Sequence, residues 1–342
     1  MFALRKVAIA TGLAVAAVVG VAATGQAAPE DGAKLGWHKY TVGLFGDVNY
    51  GNGGRSEFAA LADHINAANV NFSIYDGDLK NGKERCDNAM YADALARFNA
   101  MTKPVVVLPG DNDWTDCHRA NNGAYDPIER LDYERSVFYS TPYSQGKKPM
   151  KIERQPAYPE NNRFACGPVT YLGLNVQGSN DNFPHAGVDG EARPAAEIAR
   201  QDAEHTARLA ANIAWMHETF AQATARGDQG VVVVWQADPN FNNEGRLTDP
   251  RSYDGFTEIV AALRTEVLAF KGQVALVHGD SHYYKQDKPL TYDNGQVIGN
   301  FTRVETFGDL NSHWVSLTVD PHNPDLFTFA PQIVPANVHD RK

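Results

Sequence analysis

The chain has 342 residues, 43% of them apolar and 21% charged, the composition of an ordinary globular protein with enough apolar side chains for a large core. Its formal charge of −10, with no segment rich in Lys and Arg, excludes a polyanion-binding surface, so nucleic acid is not an expected partner. Three cysteines, Cys86, Cys117 and Cys166, allow one disulfide and one leftover thiol.

In chain order, Arg5 and Lys6 precede an uncharged run over residues 7–23 and then "TGQAAPEDG", with Gly25 and Ala27 flanking a cleavage position. Residues 1–28 therefore read as a secretory signal peptide, which places the protein in an extracellular or cell-envelope compartment. An uncleaved anchor is the alternative, because the run is nearly long enough to span a bilayer; no second apolar run is, so no stable membrane insertion is expected after cleavage. Residues 36–335 read as one domain, without internal repeat or linker. Short β-branched runs predict strands over residues 40–47, 70–78, 103–111, 167–176, 229–236, 272–280, 313–320 and 326–331. Helical spacing falls between them over 55–69, 88–101 and 194–227, which is the alternation of an α/β protein. Continuous valines such as "VVVV" imply strands covered on both faces. The stripe of Ile198, Leu209, Ile213, Met216 and Phe220 is core, while His205 and His217 are expected to be solvated or capping. The stretches 142–162 and 178–193 read as loops passing over the site.

One feature recurs at the strand ends. "FGDVN", "YDGDLKNG", "PGDND" and "HGDSH" each carry Gly-Asp where an apolar run stops. Strand ends on one edge of a parallel or mixed sheet converge, so Asp47, Asp78, Asp111 and Asp280 are expected to share a crevice. Four carboxylates repel one another unless a positive charge sits among them, and the nearest basic residue in these motifs is Lys80. A bound divalent ion, or a pair, is the simpler counter-charge, and a metal pair is the usual machinery of phosphate-ester hydrolysis. A single Gly-Asp pair more often makes a turn and caps a helix. Cys86 and Cys117 each follow one of these motifs by a few residues and are expected to form the disulfide, leaving Cys166 as a small packed side chain.

The order "GDVN", "GD" at residue 78, "GDND", "WQAD" and "HGDSH" resembles the calcineurin-like metallophosphoesterases, over essentially the whole mature chain. The resemblance implies an α/β four-layer sandwich of two mixed β-sheets flanked by helices, with two metals at the strand ends. Carried across, Asp47, Asp78 and His282 match the family's pattern, and Asp78 would bridge the two ions. The remaining positions depart from it. Asn49 replaces a His, Asp111 takes the place of the ligand Asn, Gln236 that of the lone His, and Asp280 that of the first His of Gly-His-x-His. Asn112 stands where the leaving-group His would be, and as a neutral amide it is no general acid; His118, and behind it His185, are the candidates for that role.

The resulting metal set, Asp47, Asn49, Asp78, Asp111, Gln236, Asp280 and His282, is rich in oxygen and suits Mn, Mg or Ca better than Zn. The reading is a secreted, metal-dependent phosphoesterase in which a metal-bound hydroxide attacks a small-molecule or headgroup phosphate ester. A non-catalytic secreted protein that keeps the fold and binds metal or another ligand is the alternative. A Ser-His-Asp hydrolase is disfavoured, because the chain has no G-x-S-x-G elbow.

Overall fold

Two β-sheets lie face to face because strands with apolar side chains on both faces must be covered on both. The structure is a computed structural model that describes residues 37–184, 193–241 and 250–339. The signal-peptide reading, residues 1–28, and His185 lie outside the described residues. In chain order the elements are β1 (Tyr40–Phe45), α1 (Gly51–Ala67), β2 (Phe72–Tyr75), α2 (Asn88–Ala100), β3 (Val105–Val107) and α3 (Pro127–Phe138). They continue with β4 (Glu153–Gln155), β5 (Tyr158–Cys166), β6 (Val169–Gly173), the single turn α4 (Gly178–Asp181), α5 (Ala195–Arg226) and β7 (Gly230–Val234). Last come α6 (Thr257–Ala269), β8 (Gln273–His278), β9 (Lys285–Asp287), β10 (Phe301–Glu305), β11 (Trp314–Val319) and β12 (Phe327–Gln332).

One sheet has five strands in the order β12-β11-β1-β2-β3, the other seven in the order β4-β5-β6-β7-β8-β10-β9. Both are mixed: β1, β2 and β3 run parallel, as do β6, β7, β8 and β10, with antiparallel strands at the edges. Alternation along a strand builds the layers. Val232 and Val234 of β7 join Val42, Leu44 and Ile74 in the core between the sheets. Val231 and Val233 face the other way, onto Met216 and Phe220 of α5 and Ile259 and Leu263 of α6. A third core sets Val105 and Val107 of β3 against Phe58 and Leu61 of α1 and Phe98 of α2. Three apolar cores separate four layers, so the expected four-layer α/β sandwich is the observed fold.

Several local expectations are corrected. Residues 142–162 are not a loop over the site. Gln145 bridges to the edge strand β3, and Glu153–Gln155 with the first half of β5 forms the outer edge of the seven-stranded sheet. His205 is buried rather than solvated, with Nδ1 against the backbone carbonyl of Asp181. Helix α3 and the short strands β9 and β10 carry patterns too brief or too polar to be read from sequence, whereas α6 repeats Ile259, Leu263 and Val267 at helical spacing and is a helix that the sequence reading passed over. Among the described residues no helix is long and apolar enough to cross a membrane.

Cys86 and Cys117 form a disulfide across a separation of 31 residues, both sulfurs buried, and tie the segment after Asp78 to the one after Asp111. Closing a loop of that length restrains the unfolded chain by roughly 3–4 kcal/mol. The double variant Cys86→Ala/Cys117→Ala should lose about that much unfolding free energy, read as a lower urea midpoint at unchanged slope. An unmoved midpoint would mean that the native packing of the two loops holds them without the bond.

Candidate metal centre

The parallel strands of both sheets end at one edge, and hydrogen bonds lace the ends together. Asp47 N–H donates to the carbonyl of Gly77, Gly279 N–H to that of Gln236, and Asp280 N–H to Asp47 Oδ2 at 2.9 Å. Two glycines show why Gly precedes Asp here. A Cβ on Gly110 would lie 2.0 Å from Asp78 Oδ1, and one on Gly279 would lie 1.9 Å from Asp47 Oδ2. Each glycine makes room for the carboxylate of a neighbouring turn, a close approach that no other residue allows. Helix capping does not explain the acids, because α1, α2 and α3 begin after Tyr50, Asp87 and Asp126. Asp47, Asn49, Asp78, Asp280 and His282 all adopt left-handed backbone conformations, with φ between 50° and 79°. Each such residue costs about 1–2 kcal/mol, and strain of this kind collects at functional sites.

Asp47, Asp78 and His282 each present one ligand atom, and these atoms lie within 4.8 Å of one another. His282 Nε2 is 3.5 Å from Asp47 Oδ1, while its Nδ1 rests against the carbonyl of Asp309 at 3.0 Å. That second contact orients the ring, as a carbonyl behind a ligand imidazole commonly does. Tyr50, the last residue before α1, places its hydroxyl 2.8 Å from Asp78 Oδ2 and 3.4 Å from both Asp47 Oδ1 and His282 Nε2.

Asp111 and Asp280 meet on the other side of the crevice, around Gln236. Its Nε2 lies 3.3 Å from Asp111 Oδ1 and 3.4 Å from Asp280 Oδ1, and its Oε1 accepts from Gly178 N–H at 2.6 Å. Ser179 Oγ stands 2.9 Å from Asp111 Oδ2 and 2.8 Å from Asp116 Oδ1, its single proton serving one of the two acids at a time. Asn112 turns toward Asp78, donating its backbone N–H to Oδ1 and its amide to Oδ2. Asn49 is buried with Nδ2 on the carbonyl of Leu79, and its Oδ1 has no hydrogen-bond partner among the described residues. His118 is turned onto its own 3-10 segment, Nδ1 against the carbonyl of Thr115.

The electrostatics are those of a crowded, buried acid cluster. Burial, then the charges of Asp111 and Asp47, hold both Asp78 and Asp280 well above the usual carboxylate range. Burial, with Asp111 nearby, raises Asp116 to about 7. His282 is pulled down by burial, but its hydrogen bond to Asp47 and the charge of that residue outweigh this and raise it to about 9. One cation stands behind the cluster after all. Lys80 is buried, its ammonium bonded to the Asn81 carbonyl near Asp113 and Asp116, although burial lowers its pKa. The donor set fits a divalent cation: carboxylates already crowded against their own repulsion, one imidazole oriented from behind, and a buried amide oxygen left without a partner.

Sequence reasoning passed over three residues that shape this site. Tyr50 follows the motif residue Asn49 directly and is carried inward by the start of α1. Asp113, the second acid of "GDND", accepts from the N–H groups of Asp78, Leu79 and Gly110, pinning two turns together; its position inside a quoted motif was the available signal. Ser179 lies in a left-handed turn, with φ of 49° to 58° over four successive residues, Ser179 to Asn182, which no sequence pattern announces.

No protein-family model matches the chain, and no curated protein matches it in sequence. Among solved structures it is similar to a purple acid phosphatase from yellow lupin (Lupinus luteus) seeds, at 9% identity and a TM-score of 0.46 over 88% of this chain and 55% of that one. It is also similar to the 5'-nucleotidase of Candida albicans, at 10% identity and a TM-score of 0.42 over 86% of this chain and 51% of that one. A further similar structure is GAP50, described as the anchor in the inner membrane complex of Plasmodium, at 10% identity and a TM-score of 0.41 over 87% of this chain and 89% of that one. The chain spans about half the length of the lupin and Candida proteins.

Proposed function

We propose that this chain is a secreted, divalent-metal-dependent phosphoesterase acting on small-molecule or headgroup phosphate esters. The observation that carries the reading is the convergence of Asp47, Asp78 and His282 at one sheet edge, their ligand atoms within 4.8 Å of one another, with Asp111 and Asp280 across the crevice. Asp47, Asp78 and His282 would hold one cation and Asp78, Asp111 and Asp280 a second, with Asn49 and Gln236 as amide ligands if their oxygens turn inward. Bound there, the metal supplies charge for the phosphoryl oxygens and a hydroxide at neutral pH. The chain itself supplies the rest. Asp113 fixes the Asp78 and Gly110 turns, Asn112 offers an amide donor at the edge of the centre, and buried Asp47 and Asp78 keep the site rigid. Asn112 could orient a phosphoryl oxygen, His118 would serve as general acid only after its ring leaves the Thr115 carbonyl, and the disulfide agrees with an oxidising compartment.

One observation favours a second reading, a non-catalytic binding protein: Gln236 Nε2 sits between Asp111 and Asp280 as an internal donor where a cation would otherwise be needed. Chelator treatment followed by reloading with Mn, Mg or Ca decides between them, with p-nitrophenyl phosphate and bis-p-nitrophenyl phosphate as substrates. Turnover that disappears with the metal and returns with it supports the enzyme. Metal uptake without turnover supports the second reading in its metal-binding form, and no uptake rejects the enzyme and leaves only binding of another ligand.

A further inference from the structure

We propose that Arg119 is a specificity residue of this centre: its guanidinium receives a second phosphoryl group next to the one that is cleaved, so the substrate class is a phosphate ester with two neighbouring phosphoryl groups. The inference rests on the phosphoesterase reading above and names the substrate class within it. Arg119 follows the 3-10 segment Thr115–His118. Its Nη1 pairs with Asp116 Oδ2, and among the described residues the guanidinium has no other hydrogen-bond or ion-pair partner. Most of its five donors are therefore unspent. The side chain is 30% exposed, whereas Lys80 is wholly buried behind the acids and out of a ligand's reach.

The place of this cation carries the inference. A Cβ on Gly82 would lie 3.0 Å from Asn112 Oδ1 and 3.5 Å from Arg119 Nη1, so the amide and the guanidinium meet over one glycine. The other end of the same amide, Nδ2, donates to Asp78 Oδ2. Asn112 thus spans the interval from Asp78 to Arg119. A phosphoryl group at Asp78 would have the amide beside it, and the guanidinium lies one side-chain amide farther out, where the next phosphoryl group would stand. Asn112, Gly82 and Arg119 are all half-buried, so this spot is open to a ligand. It is also held firmly. Cys117, two residues before Arg119, is bonded to Cys86, and Asn122 Nδ2 donates to the carbonyls of both Gly82 at 3.1 Å and Asp116 at 2.9 Å. The Arg119 N–H donates to the Asp116 carbonyl at 3.1 Å. An arginine fixed at its backbone and paired through one nitrogen presents the planar, always-charged fork that suits a phosphate.

Methylphosphonate and methylenediphosphonate are suitable probes, since both resist hydrolysis and they differ by one phosphoryl group. Each is titrated calorimetrically into the Mn-reloaded full chain at one fixed free Mn concentration. Wild type should bind the diphosphonate at least ~10-fold more tightly than the monophosphonate. Arg119→Gln should keep its far-UV circular dichroism and lose that preference, its affinity for the diphosphonate falling at least ~10-fold more than its affinity for the monophosphonate. Arg119→Lys, which keeps the charge without the fork, should retain part of the preference. No preference in wild type, a preference that survives in Arg119→Gln, or equal weakening of both ligands by that substitution would overturn the assignment and leave Arg119 as a brace for Asp116. Failure of wild type to bind either ligand would instead remove the phosphoesterase reading, and this inference with it.

Discussion

Asp78→Asn is expected to lower metal-dependent phosphoester turnover by more than ~100-fold, because even partners one step removed from a bound ion are worth about 10- to 100-fold. Asp78 faces both halves of the crevice: Oδ2 meets Tyr50 on one side, and Oδ1 meets the backbone of Asn112 beside Asp111 on the other. The amide keeps the shape and most hydrogen bonds while removing the charge, so the loss reports on cation binding rather than on collapse of the turn. In the metal-free protein the sign should reverse. Burial, then the charges of Asp111 and Asp47, hold the Asp78 carboxyl well above its unfolded value of about 3.9, so the folded chain binds the extra proton. The stability tied to that proton is complete below about pH 4 and is lost as pH rises through the folded value. Metal-free wild type should therefore unfold more readily at pH 7 than at pH 5, and Asp78→Asn should flatten that slope. Thermal unfolding of both proteins across this range, with and without added Mn, measures both effects. An Asn variant that keeps its turnover, or a slope unchanged by the substitution, would remove Asp78 from the centre.

Arg208→Met should cost about 3–5 kcal/mol, the usual penalty for stranding the partner of a buried ion pair. Arg208 is fully buried on α5 and uses all five guanidinium donors: Nε and Nη2 to Glu204, Nη1 to Asp181 Oδ1 and the Asn175 carbonyl, and Nη2 to the Asp181 carbonyl. Asp181 lies in the left-handed turn that presents Ser179 to Asp111 and Gly178 N–H to Gln236. Four residues in that conformation cost about 1–2 kcal/mol each. Arg208 is the clamp that offsets this cost, so its loss should loosen the Asp111 side of the crevice as well as the fold. Urea unfolding measures the first effect and metal affinity the second. Adding Asp181→Leu should recover part of the stability by removing the stranded carboxylate, but not the affinity. Full recovery of affinity in the double variant would show that the turn holds its conformation without the clamp.

The sequence by itself determined an α/β alternation with strands covered on both faces and the place where the four Gly-Asp turns gather. Uninterrupted valines in β7 require cover on both faces, and the four Gly-Asp turns mark where apolar strands stop, so Asp47, Asp78, Asp111 and Asp280 group together from sequence alone. The disulfide was legible for the same reason, each cysteine standing a few residues past such a turn. Helix α3 and the edge strand β4 were not, because short or strongly charged segments take their conformation from what they pack against, while α6 carries a legible helical stripe of Ile259, Leu263 and Val267. Only the tertiary structure decided which donors face the acids. The direction of a side chain at a strand end depends on left-handed backbone and on space vacated by distant glycines, and neither property is periodic along a chain. That is why His118, near in sequence, turns back on its own segment while Tyr50, three residues beyond Asp47, reaches Asp47, Asp78 and His282 together.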